Sequence, residues 1–216
     1  TQRVMQSNPL LEAFGNAKTQ RNHNSSRFGK YITLQFAAQQ AIVGAQIHTF
    51  LLEKSRVTNA DAENERSYHV LYYLVAGSPL AEGKTTDSYR MLSMSGTSSI
   101  PGKDDRAEFS TLQMALGWFG IESAVQEGLW KVLLGALHLG NITFDGAEQD
   151  EARLAASCQA DLKESERLLG LTNLQENLLE KELSAGGDNM TLKLKPVAAV
   201  HARDALVKQI YARIFD

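Results

Sequence analysis

Cysteine is nearly absent from this 216-residue sequence, in which Cys158 is the single example. One thiol cannot form a disulfide within the chain, so a disulfide-held scaffold is excluded and a reducing compartment is indicated. Proline is also scarce, at four residues, and no apolar run is long enough to cross a membrane. We therefore expect no direct membrane contact from this segment.

The sequence has no excess of basic residues, and its formal net charge is −3. Nothing in this balance indicates a nucleic-acid partner. The content of 43% hydrophobic and 22% charged residues is typical of a globular protein. The length is sufficient for one sizeable core or for part of a larger one.

The most polar stretch is RNHNSSRFGK, at residues 21–30. The preceding residues 8–17 have the pattern of a short apolar helix, with Pro9 near its start and Gly15 near its end. Residues 30–36 alternate like a half-buried strand. A polar loop between a packed helix and a strand is well placed to present groups to a ligand.

The loop residues suit the chemistry of magnesium and phosphate. Serine hydroxyls can ligate Mg²⁺, and asparagine side chains and loop N–H groups can donate to phosphate oxygens. Arg27 carries a fixed charge that can bind a carboxylate or a phosphate. Composition alone fits an ordinary solvated loop at least as well.

Strand and helix patterns follow along the chain. Residues 31–36 and 41–50 predict an antiparallel hairpin, and residues 190–194 alternate like a strand with a basic, polar face. We predict helices at about residues 63–76, 105–118, 122–139, 161–169, 172–183 and 200–215. Gly83-Lys84-Thr85 ends like a Walker loop, but Ser78 stands where that motif needs glycine and a helix end precedes it, so we interpret it as a solvent loop.

Six segments together resemble the motor domain of myosins. They are SNPLLEAFGNAKT (7–19), RNHNSSRFGKYITLQF (21–36), IVGAQIHTFLLEKSRV (42–57), ERSYHVLYYLVAG (65–77), LLGALHLGNITF (133–144) and ARDALVKQIYARIFD (202–216). The resemblance implies an α/β fold, a fragment of a P-loop NTPase-type motor domain. Residues 1–57 would form switch I and adjoining strands of a central mixed sheet, and residues 58–216 most of the mainly helical upper subdomain.

The resemblance also implies roles for loop residues with ATP and Mg²⁺. Ser26 would ligate the metal, Ser25 would lie by the γ-phosphate and help to place the attacking water, and Asn22 would touch the phosphates. Arg27 would pair with a switch II glutamate that closes the site. Asn24 is expected to shape the loop, and His23 has no expected role.

Actin is the partner that the resemblance implies, with a location in the cytoplasmic actin cytoskeleton. Lys193 and Lys195, in a surface ribbon, are the candidate actin-binding residues, and the acidic loop 145–153 lies where a loop near actin is expected. An exposed ribbon and a solvated connector remain alternatives for these two segments. Light chains or calmodulin would bind through a neck that this sequence does not contain.

The 216 residues contain no complete Walker loop and no Asp-x-x-Gly-Phe-Glu switch II motif. The lower subdomain and converter are also missing from the resemblance. We therefore expect an internal piece of an actin-based motor that neither hydrolyses ATP nor binds it tightly alone. Two alternatives stay open, a motor-like domain fused to another enzyme of the chitin synthase type and a non-catalytic actin-binding module.

Overall fold

The computed structural model describes residues 6–38, 41–58, 63–185 and 188–216. The helices are α1 (Asn8–Gly15), α2 (His69–Gly77), α3 (Arg90–Ser93), α4 (Asp105–Trp118), α5 (Ser123–Asn141), α6 (Gln159–Leu169), α7 (Leu174–Leu179) and α8 (Pro196–Phe215). The strands are β1 (Asn16–Ala17), β2 (Ser25–Ser26), β3 (Gly29–Phe36), β4 (Ile42–Phe50), β5 (Phe144–Asp145), β6 (Arg153–Leu154), β7 (Glu180–Ala185) and β8 (Asp188–Lys193). Within these ranges no helix is both long and apolar enough to cross a membrane.

The predicted hairpin is confirmed as the antiparallel pair β3–β4, in which Gly29 lies opposite Phe50. The register shifts once, between Gln35 and Phe36. Alternation places six apolar side chains of the two strands on one face of this hairpin. They are Ile32, Leu34, Phe36, Ile42, Ala45 and Ile47. Phe36 on this face is 59% exposed.

The central helix α5 organises the core of the helical unit, the name used here for helices α2 to α8. Its second half is buried on most sides, as its apolar sequence predicts. Gly135 allows α6 to approach closely, because a Cβ atom there would lie 2.7 Å from the Leu169 side chain. Helix α4 adds Phe109, Leu112 and Leu116 to the same core.

Helix α8 joins the helical unit to the N-terminal segment. The Tyr211 ring stacks on Tyr68 at 4.8 Å, and its hydroxyl donates to the Phe14 carbonyl oxygen at 2.7 Å. Phe215 contacts Phe28 edge-on at 5.1 Å. These contacts place residues 14–28 against a helix that lies almost two hundred residues later in the chain.

Three predicted helix bounds are wrong by four residues or more. Helix α2 begins at His69 instead of residue 63, because Tyr68 bridges to Ala17 and the Arg66 N–H donates to the Lys18 carbonyl. The predicted helix 172–183 ends at Leu179, where β7 begins and pairs with β8. Helix α8 begins at Pro196, four residues earlier than predicted, since proline is accepted in a first helical turn. Long-range pairing overrides the local helical pattern in the first two cases.

Candidate functional site

The polar loop is closed by backbone pairing at its base. Strand β1 pairs with β2, so that Asn16 lies opposite Ser26 and Ala17 opposite Ser25. The Arg27 N–H also donates to the Gly15 carbonyl oxygen at 2.8 Å. The ring of Phe28 covers Gly15 closely, since a Cβ atom there would lie 2.3 Å from it. The loop is therefore a built element whose ends are fixed by helix α1.

Asn24 holds the interior of the loop. Its Oδ1 accepts from Asn16 Nδ2 at 3.0 Å and is 3.1 Å from His69 Nε2. Its Nδ2 donates to Glu12 Oε2 at 3.1 Å, and its backbone N–H donates to Asn22 Oδ1 at 2.9 Å. Both polar atoms of the side chain are hydrogen-bonded, in agreement with the prediction that Asn24 shapes the loop.

His69 is fully buried under the loop. Burial, together with the charges of Lys103 and Arg66, lowers its pKa to about 3. The imidazole is therefore neutral at physiological pH, and Nε2 donates because the Asn24 oxygen can only accept. The other ring nitrogen, Nδ1, is buried and makes no hydrogen bond with the described residues.

The three predicted ligand residues lie together on the loop. Asn22 is exposed, and its Oδ1 is occupied by the Asn24 N–H, which leaves the Nδ2 amide as a donor. Ser25 is half-buried, and its Oγ accepts from Arg27 Nη1 at 3.1 Å. Ser26 is exposed at the edge of a pocket of about 140 Å³ that Glu12 and Lys30 also line.

Arg27 is bound by the carboxylate of Glu53, which the sequence analysis did not predict. The Arg27 Nε donates to Glu53 Oε2 at 2.5 Å. Glu53 also accepts two hydrogen bonds from Arg56, which in turn pairs with Glu65. Burial raises the pKa of Glu53, but the hydrogen bonds and charges of Arg27 and Arg56 outweigh it, so the pKa lies below its usual value.

The donor set of the loop fits a magnesium–phosphate ligand in part. The described residues hold no group of three or more His, Cys, Asp or Glu side chains that could bind a metal ion by themselves. Ser26 offers one hard oxygen, and its hydroxyl makes no hydrogen bond to a residue in the described ranges. Mg²⁺ accepts such an arrangement, because it commonly takes few protein ligands beside phosphate oxygens and water.

The two candidate actin-binding lysines lie in a separate surface region. Lys193 Nζ is 3.2 Å from Glu151 Oε2, and Lys195 Nζ donates to Gln149 Oε1 at 2.8 Å. The Ala152 N–H donates to the Leu194 carbonyl oxygen at 2.8 Å. The β7–β8 ribbon and the acidic loop after β5 therefore form one continuous surface.

The interpretation of Gly83-Lys84-Thr85 as a solvent loop is confirmed. This tripeptide lies between two short 3₁₀ turns, Pro79–Ala81 and Thr86–Ser88. A Walker loop instead follows a strand and opens a helix. The tripeptide therefore has no phosphate-binding geometry of that kind.

Sequence patterns gave no signal for Asn16 and Glu53 as supporting residues. Both residues act on the loop through tertiary contacts, and neither is part of a recognisable motif in its own segment. The hairpin register could have indicated Glu53, because Gly29 opposite Phe50 brings the residues just before β3 next to those just after β4.

Comparison with known proteins assigns the family. The family model described as "Myosin head (motor domain)" matches residues 1–216. Myosin-1 of Arabidopsis thaliana is 41% identical over 99% of this chain and 19% of its own length. Unconventional myosin-Va of Rattus norvegicus is 37% identical over 100% of this chain and 12% of its own, and unconventional myosin-Vc of Homo sapiens is 38% identical over 99% and 13%.

The chain belongs to the myosin head family. Its mixture of helices and antiparallel strands agrees with an α/β motor fragment. It spans between 12% and 19% of the length of these curated relatives. The resemblance found in the sequence is thereby confirmed at the level of the motor domain.

Proposed function

We propose that this chain is part of an actin-based motor that couples MgATP hydrolysis to movement, and that residues 21–30 are its nucleotide switch. Residues 1–57 form switch I with adjoining strands of a P-loop NTPase-type sheet, and residues 58–216 most of the upper subdomain. The observation that carries the proposal is the loop itself, in which Asn22, Ser25 and Ser26 are displayed from a base fixed by β1–β2 pairing.

Each loop residue has a defined part in this proposal. Ser26 is the protein ligand for Mg²⁺, and its accessible hydroxyl supports this role. Ser25 lies by the γ-phosphate and helps to place the attacking water, with its Oγ oriented by Arg27. Asn22 donates its free amide N–H to the phosphates. The bound metal ion would supply neutralisation of phosphate charge, as it does in phosphoryl transfer generally.

The preorganised loop suits this chemistry because phosphoryl transfer depends mainly on positioning and charge stabilisation. Asn24 and its partners hold the backbone so that the neighbouring side chains need little reorganisation on binding. Arg27 closes the site when it meets a switch II carboxylate outside these 216 residues. Within these residues the chain supplies only part of the contacts, so the isolated segment is inactive.

The experiment compares MgATP turnover of the full-length protein with that of Ser26→Ala. We expect the variant to need at least about tenfold more Mg²⁺ for half-maximal turnover, since one metal ligand is lost. His23→Ala is the matched control, because His23 is exposed in the same loop and has no role in the proposal. Equal Mg²⁺ dependence of Ser26→Ala and wild type contradicts the assignment of Ser26.

The actin-facing surface is the second part of the proposal. Lys193 is paired with Glu151, but both side chains are more than half exposed, and such pairs hold their partners weakly. The apolar side chains of Met190 and Leu192 are exposed on the other face of the same ribbon. Lys193 and Lys195 can therefore meet an acidic filament surface, with apolar contacts beside them.

Replacement of both lysines by alanine in the full-length protein is expected to weaken actin affinity several-fold at low salt. The measurement is cosedimentation with filaments in the presence of ATP. Lys163→Ala, on the exposed side of α6, is the control for the loss of one positive charge. Unchanged affinity of the double variant contradicts this contact.

A non-catalytic actin-binding module is the alternative function. The full-length protein would then bind filaments without turnover of MgATP. The intact Ser25-Ser26-Arg27 sequence favours the motor, because a binding module has no need of the metal-ligating hydroxyl.

A further inference from the structure

Four charged side chains form a chain of ion pairs that leads from the polar loop, residues 21–30, towards the start of helix α2. In order they are Arg27, Glu53, Arg56 and Glu65. Glu53 is the central member, because its Oε2 accepts from Arg27 Nε at 2.5 Å and from Arg56 Nε at 3.1 Å, and its Oε1 accepts from Arg56 Nη2 at 3.2 Å. One carboxylate is therefore shared by two guanidinium groups.

Backbone bonds fix Glu53 against the loop. Its N–H donates to the Arg27 carbonyl oxygen at 2.9 Å, and its own carbonyl accepts from the hydroxyl of the buried Tyr68 at 2.9 Å. Just before it, Leu51 has a φ of 56°, a left-handed conformation that side chains of its size rarely adopt. This sharp change of direction after β4 brings Glu53 beside Arg27.

The ion pair between Arg27 and Glu53 uses only one side of the Arg27 guanidinium. Nε is bound to Glu53 and Nη1 to Ser25, whereas no residue in the described ranges accepts a hydrogen bond from Nη2. The Arg27 side chain is 28% exposed. Because a guanidinium has five N–H donors in a fixed plane, a second carboxylate can bind the Nη side while Glu53 keeps Nε.

We infer that Glu53 is a positioning residue for the switch, which holds Arg27 through Nε and keeps its Nη side available to the carboxylate that closes the site. This inference rests on the proposed function. Glu53 acts through Arg27 and does not touch the nucleotide. Arg56 keeps the carboxylate of Glu53 in place from the opposite side.

The test uses the full-length protein and separates nucleotide binding from ATP cleavage. Glu53→Gln keeps the size of the side chain and removes its charge. We expect the single-turnover cleavage rate to fall about tenfold, since a displaced Arg27 assembles the closed site less often. The rate of ATP binding should stay within about twofold of wild type, and Glu53→Asp should recover part of the cleavage rate.

Two further variants test whether the effect of Glu53→Gln acts through Arg27. Glu65→Gln makes the same chemical change at the far end of the ion-pair chain, two steps beyond Glu53. Glu65 does not contact Arg27, so this variant is expected to leave cleavage within about twofold. In an Arg27→Ala background, Glu53→Gln should cause no further loss, because the group that it positions is gone. A wild-type cleavage rate in Glu53→Gln overturns the inference. So does a double variant in which the losses of the two single variants add.

Backbone hydrogen exchange distinguishes this inference from the proposed function. If the wild-type protein has no turnover, the proposed function fails. Hydrogen exchange of the Arg27 and Glu53 amides then tests the positioning role of Glu53 by itself. Glu53→Gln and Arg27→Ala should each accelerate exchange at these amides, and the double variant should show no further acceleration. Exchange equal to wild type in Glu53→Gln overturns the positioning role.

Discussion

The helical unit buries most of its large hydrophobic side chains, whereas the β3–β4 hairpin exposes most of its own. Leu133, Leu137 and Leu139 on α5 are fully buried, while Leu34 and Phe36 on β3 are 42% and 59% exposed. Both regions are strongly patterned in the sequence. The difference shows that a periodic pattern determines local structure, whereas the contribution of a residue to stability depends on what covers it.

The largest expected effect compares two leucines. Leu137→Ala should lower the free energy of unfolding of the chain by about 3 kcal/mol, because it leaves a cavity in a packed core. Leu34→Ala, the same change on the exposed hairpin face, should cost less than about 1 kcal/mol. Urea unfolding followed by circular dichroism measures both, and equal losses would break the comparison.

The second prediction concerns His69, where the loop meets the helical unit. Its pKa is lowered from 6.5 to about 3, so below pH 6.5 the unfolded chain takes up a proton that the folded chain refuses until about pH 3. Stability should therefore fall as the pH drops through this window, by about 2 kcal/mol at pH 5 relative to neutral pH.

The check for His69 is the difference between wild type and His69→Gln in urea unfolding at pH 7.5 and pH 5. Glutamine can keep the N–H donor to Asn24 and does not titrate. The variant should lose this part of the pH dependence. The same pH dependence in both proteins would contradict the prediction, because it would mean that His69 is protonated at pH 5 in the folded chain as in the unfolded chain.

The smallest effect is expected at an exposed position inside the helical unit. Lys131 pairs with Glu127 at 2.6 Å on the surface of α5, and the two side chains are 42% and 56% exposed. Lys131→Ala should change the free energy of unfolding by less than about 0.5 kcal/mol. A loss comparable with that of Leu137→Ala would show that location in the helical unit, and not burial, sets the effect.

The parts of the fold that depend on local patterning could be predicted from the sequence. Helix α4 was predicted with its observed bounds, and α5 and the β3–β4 hairpin were predicted within a few residues. The start of α2 and the end of α7 could not be, because strand and bridge pairing with distant segments decides them. Pairing of that kind is not encoded in a local window.

The candidate site shows the same division. The loop residues Asn22, Ser25, Ser26 and Arg27 could be selected from their chemistry and from the family resemblance. Their supports could not, because Asn16 and His69 reach the loop from helix ends and Glu53 from beyond the hairpin. Polar groups that act through tertiary contacts leave no periodic signal in the sequence.

Our main proposal is that this chain is part of an actin-activated ATPase motor. Its most direct test is the steady-state MgATP turnover of the full-length protein, measured with and without actin filaments. We expect turnover that rises many-fold as filaments are added. Filament binding without any turnover, or turnover that filaments leave unchanged, would contradict it.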